Sequence, residues 1–309
     1  MVSEKIIIGE HSAYPLNGLL TFPEDPLPCA PAVVFVHGSG ASNMDEKVGK
    51  LTPFQDLAEG LARHGIASVR YDKRTFAHGF KMLKDRTLDV TVKTETIDDA
   101  VLAAALLRKD PRIDPNRIFI IGHSMGGMLA PRIDAEGGNF RGLVIMAGSP
   151  RKLEEIMIDQ NNAVLASAKG FVRWIVEKQV AKVTAMFDGL YELSDAEARK
   201  KKIGGGTTLY YFKEMGQHPA ADYLVNLEKP VLILQGAEDF QATAQKDFEA
   251  YRQLLSGRKN VEFRLYPGLN HAFVPSIYGD IMKAKQEYGI ERHIGEEVIS
   301  DIANWIKRV

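Results

Sequence analysis

The chain has 309 residues, of which 45% are hydrophobic and 26% charged, which is the composition of a globular protein with length for one large α/β domain or two ordinary ones. A formal net charge of −1 argues against a general binder of nucleic acid or other polyanions. Cys29 is the only cysteine, so no intrachain disulfide can form, and no apolar run reaches the ~18 residues that suggest a membrane span.

The amino terminus, MVSEKIIIGEHSAY, shows neither the apolar centre nor the cleavage site of a secretory leader, so a cytoplasmic location is the expectation. KIIIG and YPLNGLLTFP then read as an antiparallel pair of strands, followed by PLPCAP, a loop composition that holds Cys29. AVVFVHG, ASVRYD, RIFIIGHS and GLVIMAGS follow as buried strands, with helical patterns over Phe54–His64 and Ile97–Lys109 between them. After a long interruption come PVLILQG, a helix over Ala244–Leu255, EFRLYPG and a closing helix over Glu296–Lys307. Strands alternating with helices predict a mostly parallel sheet covered on both faces.

The interruption, residues 151–228, carries helical patterns over Lys152–Ala168, Val172–Met186 and Asp195–Lys202 but no convincing strand. It predicts a helical lid inserted into one α/β core, whose two parts are residues 1–150 and 229–309. KKKIGGGTT lacks both a preceding strand and the G-K-[ST] of a phosphate loop, so it reads as a hinge within that lid. Met157, Phe171, Trp174, Met186, Phe187, Tyr191, Tyr210, Tyr211 and Phe212 crowd the segment. Singly each suits a core; together they suit an apolar wall over a pocket, with Trp174 and Tyr211 as candidate substrate contacts.

In a parallel sheet every strand's carboxyl end points to one edge, where binding sites form. RIFIIGHSMGGMLAPRI places Ser124 at such an end, in a G-x-S-x-G turn from strand to a helix expected to be cut short or kinked near Pro131. PVLILQG runs into Ala237-Glu238-Asp239, and EFRLYPG into Leu269-Asn270-His271. Serine, acid and histidine thus leave one edge in the order of an α/β-hydrolase triad. A serine hydroxyl needs a base to attack at neutral pH, an imidazole can serve, and an acid holds the imidazole's tautomer. Ser124 is therefore the candidate nucleophile, His271 the base and Asp239 the acid, with neighbouring Glu238 as the weaker alternative. For the oxyanion the Met125 N–H is one candidate donor; in HGSG the second is Ser39 N–H, with Gly38 left open.

Other residues read as structural. His37 and His123 suit the turns beside the site and His64 a helix end; His78 and His218 could contact a substrate, but a plain surface role is the better expectation. Asp72 suits an ion pair or turn cap. Lys73 and Arg74 could meet an anionic group of a substrate, but structural pairing is the better expectation.

The motifs FVHGSG, GIASVRYDKRT, IGHSMGGMLAP, QGAEDFQAT and YPGLNHAF together resemble the α/β-hydrolase superfamily and, within it, the bacterial EstD-type carboxylesterases. The resemblance covers both flanks of the chain and least the interposed segment. It implies the α/β-hydrolase fold, hydrolysis of small carboxylic esters through an acyl-enzyme, the same three residues Ser124, Asp239 and His271, and no cofactor. The expected partner is a small-molecule ester. The same machinery would serve a thioesterase, an acyltransferase or a small peptidase, and a non-catalytic binding relative is the remaining alternative. Sequence leaves the oligomeric state open, a homodimer included.

Overall fold

The computed structural model describes residues 1–24, 29–85, 87–204 and 207–309. In chain order its main elements are β1 (Val2–Ile8), β2 (Leu16–Phe22), β3 (Ala30–Val36), α1 (Pro53–Arg63), β4 (Ala67–Tyr71), α2 (Arg74–Lys84), α3 (Asp98–Lys109), β5 (Ile113–His123), α4 (Met125–Ile133) and β6 (Leu143–Met146). The interposed segment supplies α5 (Leu153–Ser167), α6 (Gly170–Phe187), α7 (Asp195–Lys200), β7 (Lys202–Gly204), β8 (Thr207–Thr208), α8 (Leu209–Gly216) and α9 (Ala220–Leu224). The chain then returns to β9 (Val231–Gly236), α10 (Glu249–Leu254), β10 (Val261–Tyr266), α11 (Ala284–Tyr288) and α12 (Glu296–Arg308).

Eight strands form one sheet in the order β1-β2-β4-β3-β5-β6-β9-β10. The β1–β2 and β2–β4 pairs are antiparallel. Every other neighbour is parallel. All eight strands expected for this sheet form, and the amino-terminal antiparallel start is as expected. Side chains alternate across a strand, so unbroken apolar runs must be buried on both faces. On β3, Ala32, Val34 and Val36 join the core under α3 and α4, whereas Val33 and Phe35 join the core under α1 and α12. On β5, Ile118 and Ile120 face the first core, Phe119 and Ile121 the second. At the far end α10 packs Tyr251 and the preceding Phe248 against Val231 and Ile233.

Three local features differ from the sequence reading. The interposed segment does contain strands: β7 and β8 form a separate two-stranded sheet, too short for a period-2 pattern to register. The segment read as a hinge contains them, and α8 starts right after it, although Gly205 and Gly206 lie outside the described residues. The helix after Ser124 runs on through Pro131 to Ile133, and a wide π-type turn, Asp134–Gly138, follows. Proline lacks one N–H, and the helix tolerates that loss.

Among the described residues no helix is long and apolar enough to cross a membrane.

Candidate active site

Ser124 stands alone between the last residue of β5 and the first of α4, with φ 55° and ψ −121°. A non-glycine residue held at positive φ stores strain, and the glycines around it show what enforces the turn. A Cβ on Gly122 would lie 2.2 Å from the Gly126 carbonyl oxygen, and one on Gly126 would lie 2.1 Å from that of Val36. Both glycines therefore serve close backbone approach, which lets α4 start hard against β5 and β3. The Ser124 N–H is tied to Met146 O on the neighbouring strand at 2.8 Å. Its hydroxyl has no hydrogen-bond partner among the described residues and faces a cavity of about 1280 Å³.

That cavity opens along the carboxyl edge of the sheet. Ser39 after β3, Ser124 and Met125 after β5, Gly148 and Ser149 after β6, Ala242 after β9 and His271 after β10 all line it. The His271 Nδ1 lies 2.7 Å from Asp239 Oδ2. Asp239 is buried and also accepts from Gln235 Nε2 at 2.8 Å, Gln241 N at 2.7 Å and Ala242 N at 3.0 Å. Glu238 makes no such contact with His271.

Two N–H groups near Ser124 lack acceptors among the described residues. Met125 opens α4, so no carbonyl one turn earlier within the helix receives its N–H. Ser39 N–H likewise donates to no described acceptor. Gly38 differs, because its N–H goes to Glu46 Oε1 at 2.6 Å. Glu46 also lies 2.9 Å from His123 Nδ1, and His123 Nε2 contacts the His271 carbonyl oxygen at 2.9 Å. Behind the cavity wall, Lys73 Nζ donates to Gly38 O at 2.9 Å and pairs with Glu95 at 3.4 Å. Glu95 accepts from Thr75 Oγ1 at 2.9 Å and from Tyr211 OH at 2.7 Å.

The remaining sequence candidates fall as follows. Tyr211 is buried and lines the cavity. Trp174 does not: it is 51% exposed, stacks on Phe171 and lies under the Lys178 ammonium. Its side of α6 turns to solvent, which a count of aromatics cannot reveal. Of the aromatic and methionine set, Met157, Tyr211 and Phe212 reach the cavity, while Phe187 packs on Phe212 and Tyr210 sits under Arg199. Arg74 pairs with Asp99 and Lys73 with Glu95, so neither is free for a substrate anion. Asp72 accepts from Met44 N and forms no ion pair among the described residues. His37 bonds Asn43 O, and burial pushes its pKa down to about 4, which leaves it neutral. Sequence reasoning passed over Glu46 and Glu95, which sit in polar stretches resembling surface loops, with partners such as His123 and Tyr211 far along the chain.

The doubly covered parallel sheet and the serine turn at its carboxyl edge are those of an α/β-hydrolase. The model of the family described as "Serine aminopeptidase, S33" matches residues 29–275, and the chain belongs to that family. It is 35% identical over 292 residues to Esterase EstD of Thermotoga maritima, an alignment that takes in 94% of this chain and 65% of the relative. The chain thus spans about two thirds of that relative's length, at 65%. Est1E from Butyrivibrio proteoclasticus is similar at a TM-score of 0.57 and 15% identity, over 99% of both chains. Proline iminopeptidase of Mycobacterium smegmatis is similar at 0.58 and 15%, over 99% of this chain and 98% of its own. At those identities the two structures show the shared fold.

Proposed function

We propose that this protein is a serine esterase that hydrolyses small carboxylic esters through an acyl-enzyme, with Ser124 as nucleophile, His271 as base and Asp239 as the acid. One observation carries the reading: a strained serine, unpaired among the described residues, and a histidine bonded to a buried carboxylate open onto the same cavity. His271 Nε2 takes the hydroxyl proton as Ser124 Oγ attacks the ester carbonyl carbon, then returns it to the leaving alcohol. Met125 N–H and Ser39 N–H receive the oxyanion; Gly38 N–H is already taken by Glu46. Water then attacks the acyl-enzyme by the same steps in reverse. No cofactor takes part.

Residues 151–228 act as a lid on this reading. Leu153, Ile156, Met157, Tyr211 and Phe212 from that segment supply much of the apolar cavity wall. An ester fits the site better than a peptide with a free amino terminus, because the lining carboxylates are already engaged. Asp85 accepts from Tyr14 and Thr87, Asp89 from Arg199, and Glu95 from Thr75 and Tyr211.

The test is a panel of p-nitrophenyl esters, acyl-thioesters and aminoacyl p-nitroanilides of matched acyl size. The proposal expects a burst of nitrophenol and the largest kcat/KM on esters. Preferential cleavage of the aminoacyl anilides would contradict it, and turnover of none would reduce the site to a binding pocket.

A further inference from the structure

Lys73 is 1% exposed, and its ammonium has two partners among the described residues, Gly38 O at 2.9 Å and Glu95 Oε1 at 3.4 Å. Desolvating an ammonium is costly, and apolar residues of similar volume often replace a buried ion pair at no loss of stability. Packing therefore does not account for a lysine here, at the end of β4 beside the proposed catalytic edge.

Its acceptor suggests the reason. Gly38 C=O and Ser39 N–H belong to one planar trans peptide, so they point in opposite directions and turn together. A bond that fixes the carbonyl fixes the aim of the N–H. Glu46 Oε1 holds the preceding N–H, that of Gly38, at 2.6 Å. Two buried charges thus grip the loop on either side of Gly38, and a Cβ at Gly38 would lie 3.1 Å from that of Ser124. A charged donor on the carbonyl also polarises the peptide and makes its N–H a stronger donor.

We infer that Lys73 is a positioning residue of the oxyanion hole, holding and polarising the Gly38–Ser39 peptide so that Ser39 N–H meets the developing negative oxygen. The inference rests on the esterase reading of the same site. Glu95 anchors the ammonium and accepts from Tyr211 OH at 2.7 Å. One chain of polar contacts therefore runs from α8 in the interposed segment to the proposed donor. The rival role is a staple that merely fastens the β4 end to the loop.

Lys73→Met keeps an unbranched stem and removes the ammonium. Two ligands separate the roles: a trifluoromethyl ketone, whose hemiketal with Ser124 bears an oxyanion, and the matching carbinol, which bears none. We expect kcat on p-nitrophenyl butyrate to fall about tenfold to a hundredfold with KM nearly unchanged. Ketone affinity should fall in proportion and carbinol affinity should hold. If Lys73→Met does not fold, Glu95→Gln carries the test, with the same selective loss of ketone affinity at smaller size. A folded variant with parental kcat, or with lowered kcat and an unchanged ketone-to-carbinol ratio, overturns the inference. A parent protein that neither turns over esters nor binds the ketone overturns the esterase reading itself, so the two failures are distinguishable.

Discussion

His271 and Asp239 meet at 2.7 Å between Nδ1 and Oδ2, and the same carboxylate accepts three further hydrogen bonds, from Gln235 Nε2, Gln241 N and Ala242 N. An ionised carboxylate only accepts, so the bond places the ring proton on Nδ1 and leaves Nε2 as the acceptor. Asp239→Asn can instead present an N–H to Nδ1 and favour the wrong tautomer. We expect its esterase kcat to fall by about four orders of magnitude with the fold retained. Near-parental turnover, measured beside an unchanged circular dichroism spectrum, would move the acid role elsewhere.

A second buried pair, His123 and Glu46, predicts a pH response in stability. Burial pushes His123 down, but the Glu46 charge and contact at 2.9 Å outweigh it and leave the pKa above the usual 6.5. Burial pushes Glu46 up, and His123 reverses this, leaving it below the usual 4.5. A raised histidine contributes stability that is complete below its unfolded value and is lost as pH climbs through its folded one. A lowered glutamate contributes stability present above its unfolded value and lost as pH falls through its folded one. The pair therefore stabilises most between pH 4.5 and 6.5. Glu46→Gln should lower Tm most in that window and less on either side. Parallel Tm curves for parent and variant would contradict the pairing.

Cavity shape predicts where acyl preference is set. Ile156 and Met157 line the cavity, whereas Trp174 does not. Each further methylene buried is worth about 0.8 kcal/mol, roughly fourfold in kcat/KM. Met157→Ala and Ile156→Ala should shift the preferred ester toward longer chains, and Trp174→Ala should leave the profile as it is. A profile that moves with Trp174 and not with the other two would mean that the wall lies elsewhere.

The serine turn makes a stability prediction with an internal control. A methyl at Gly126 would lie 2.1 Å from a backbone oxygen, while one at Gly79, inside α2, meets nothing within 4 Å. Gly126→Ala should cost about 1–3 kcal/mol or more and abolish turnover, and Gly79→Ala should stabilise by about 0.5–1 kcal/mol. Urea denaturation of both variants checks the pair; a Gly126→Ala protein as stable as the parent would refute the close-approach argument.

Sequence carried most of the scaffold because its central strands are buried on both faces, and that burial writes unbroken apolar runs such as Ile118–Ile121. The placement of the candidate site residues was legible where a motif is tied to local spacing, as around Ser124, and where strand ends converge on one cavity, as before Asp239 and His271. Legibility failed where a role depends on distant partners. Glu46 and Glu95 look like solvated charges until His123 and Lys73 fold against them. It failed again at the start of α6, where Phe171, Val172, Trp174 and Ile175 face solvent, so the Trp174 expectation followed composition rather than facing. The short β7–β8 pair left no periodicity to read.

The central claim is that Ser124 is an activated nucleophile, and covalent labelling tests it most directly. An alkyl fluorophosphonate phosphonylates a serine only where a base and oxyanion donors activate it. Intact-mass and peptide analysis should find one adduct, on Ser124, and Ser124→Ala should fold with the parent's Tm and remain unlabelled. An adduct on another residue, or one that persists in Ser124→Ala, would contradict the account.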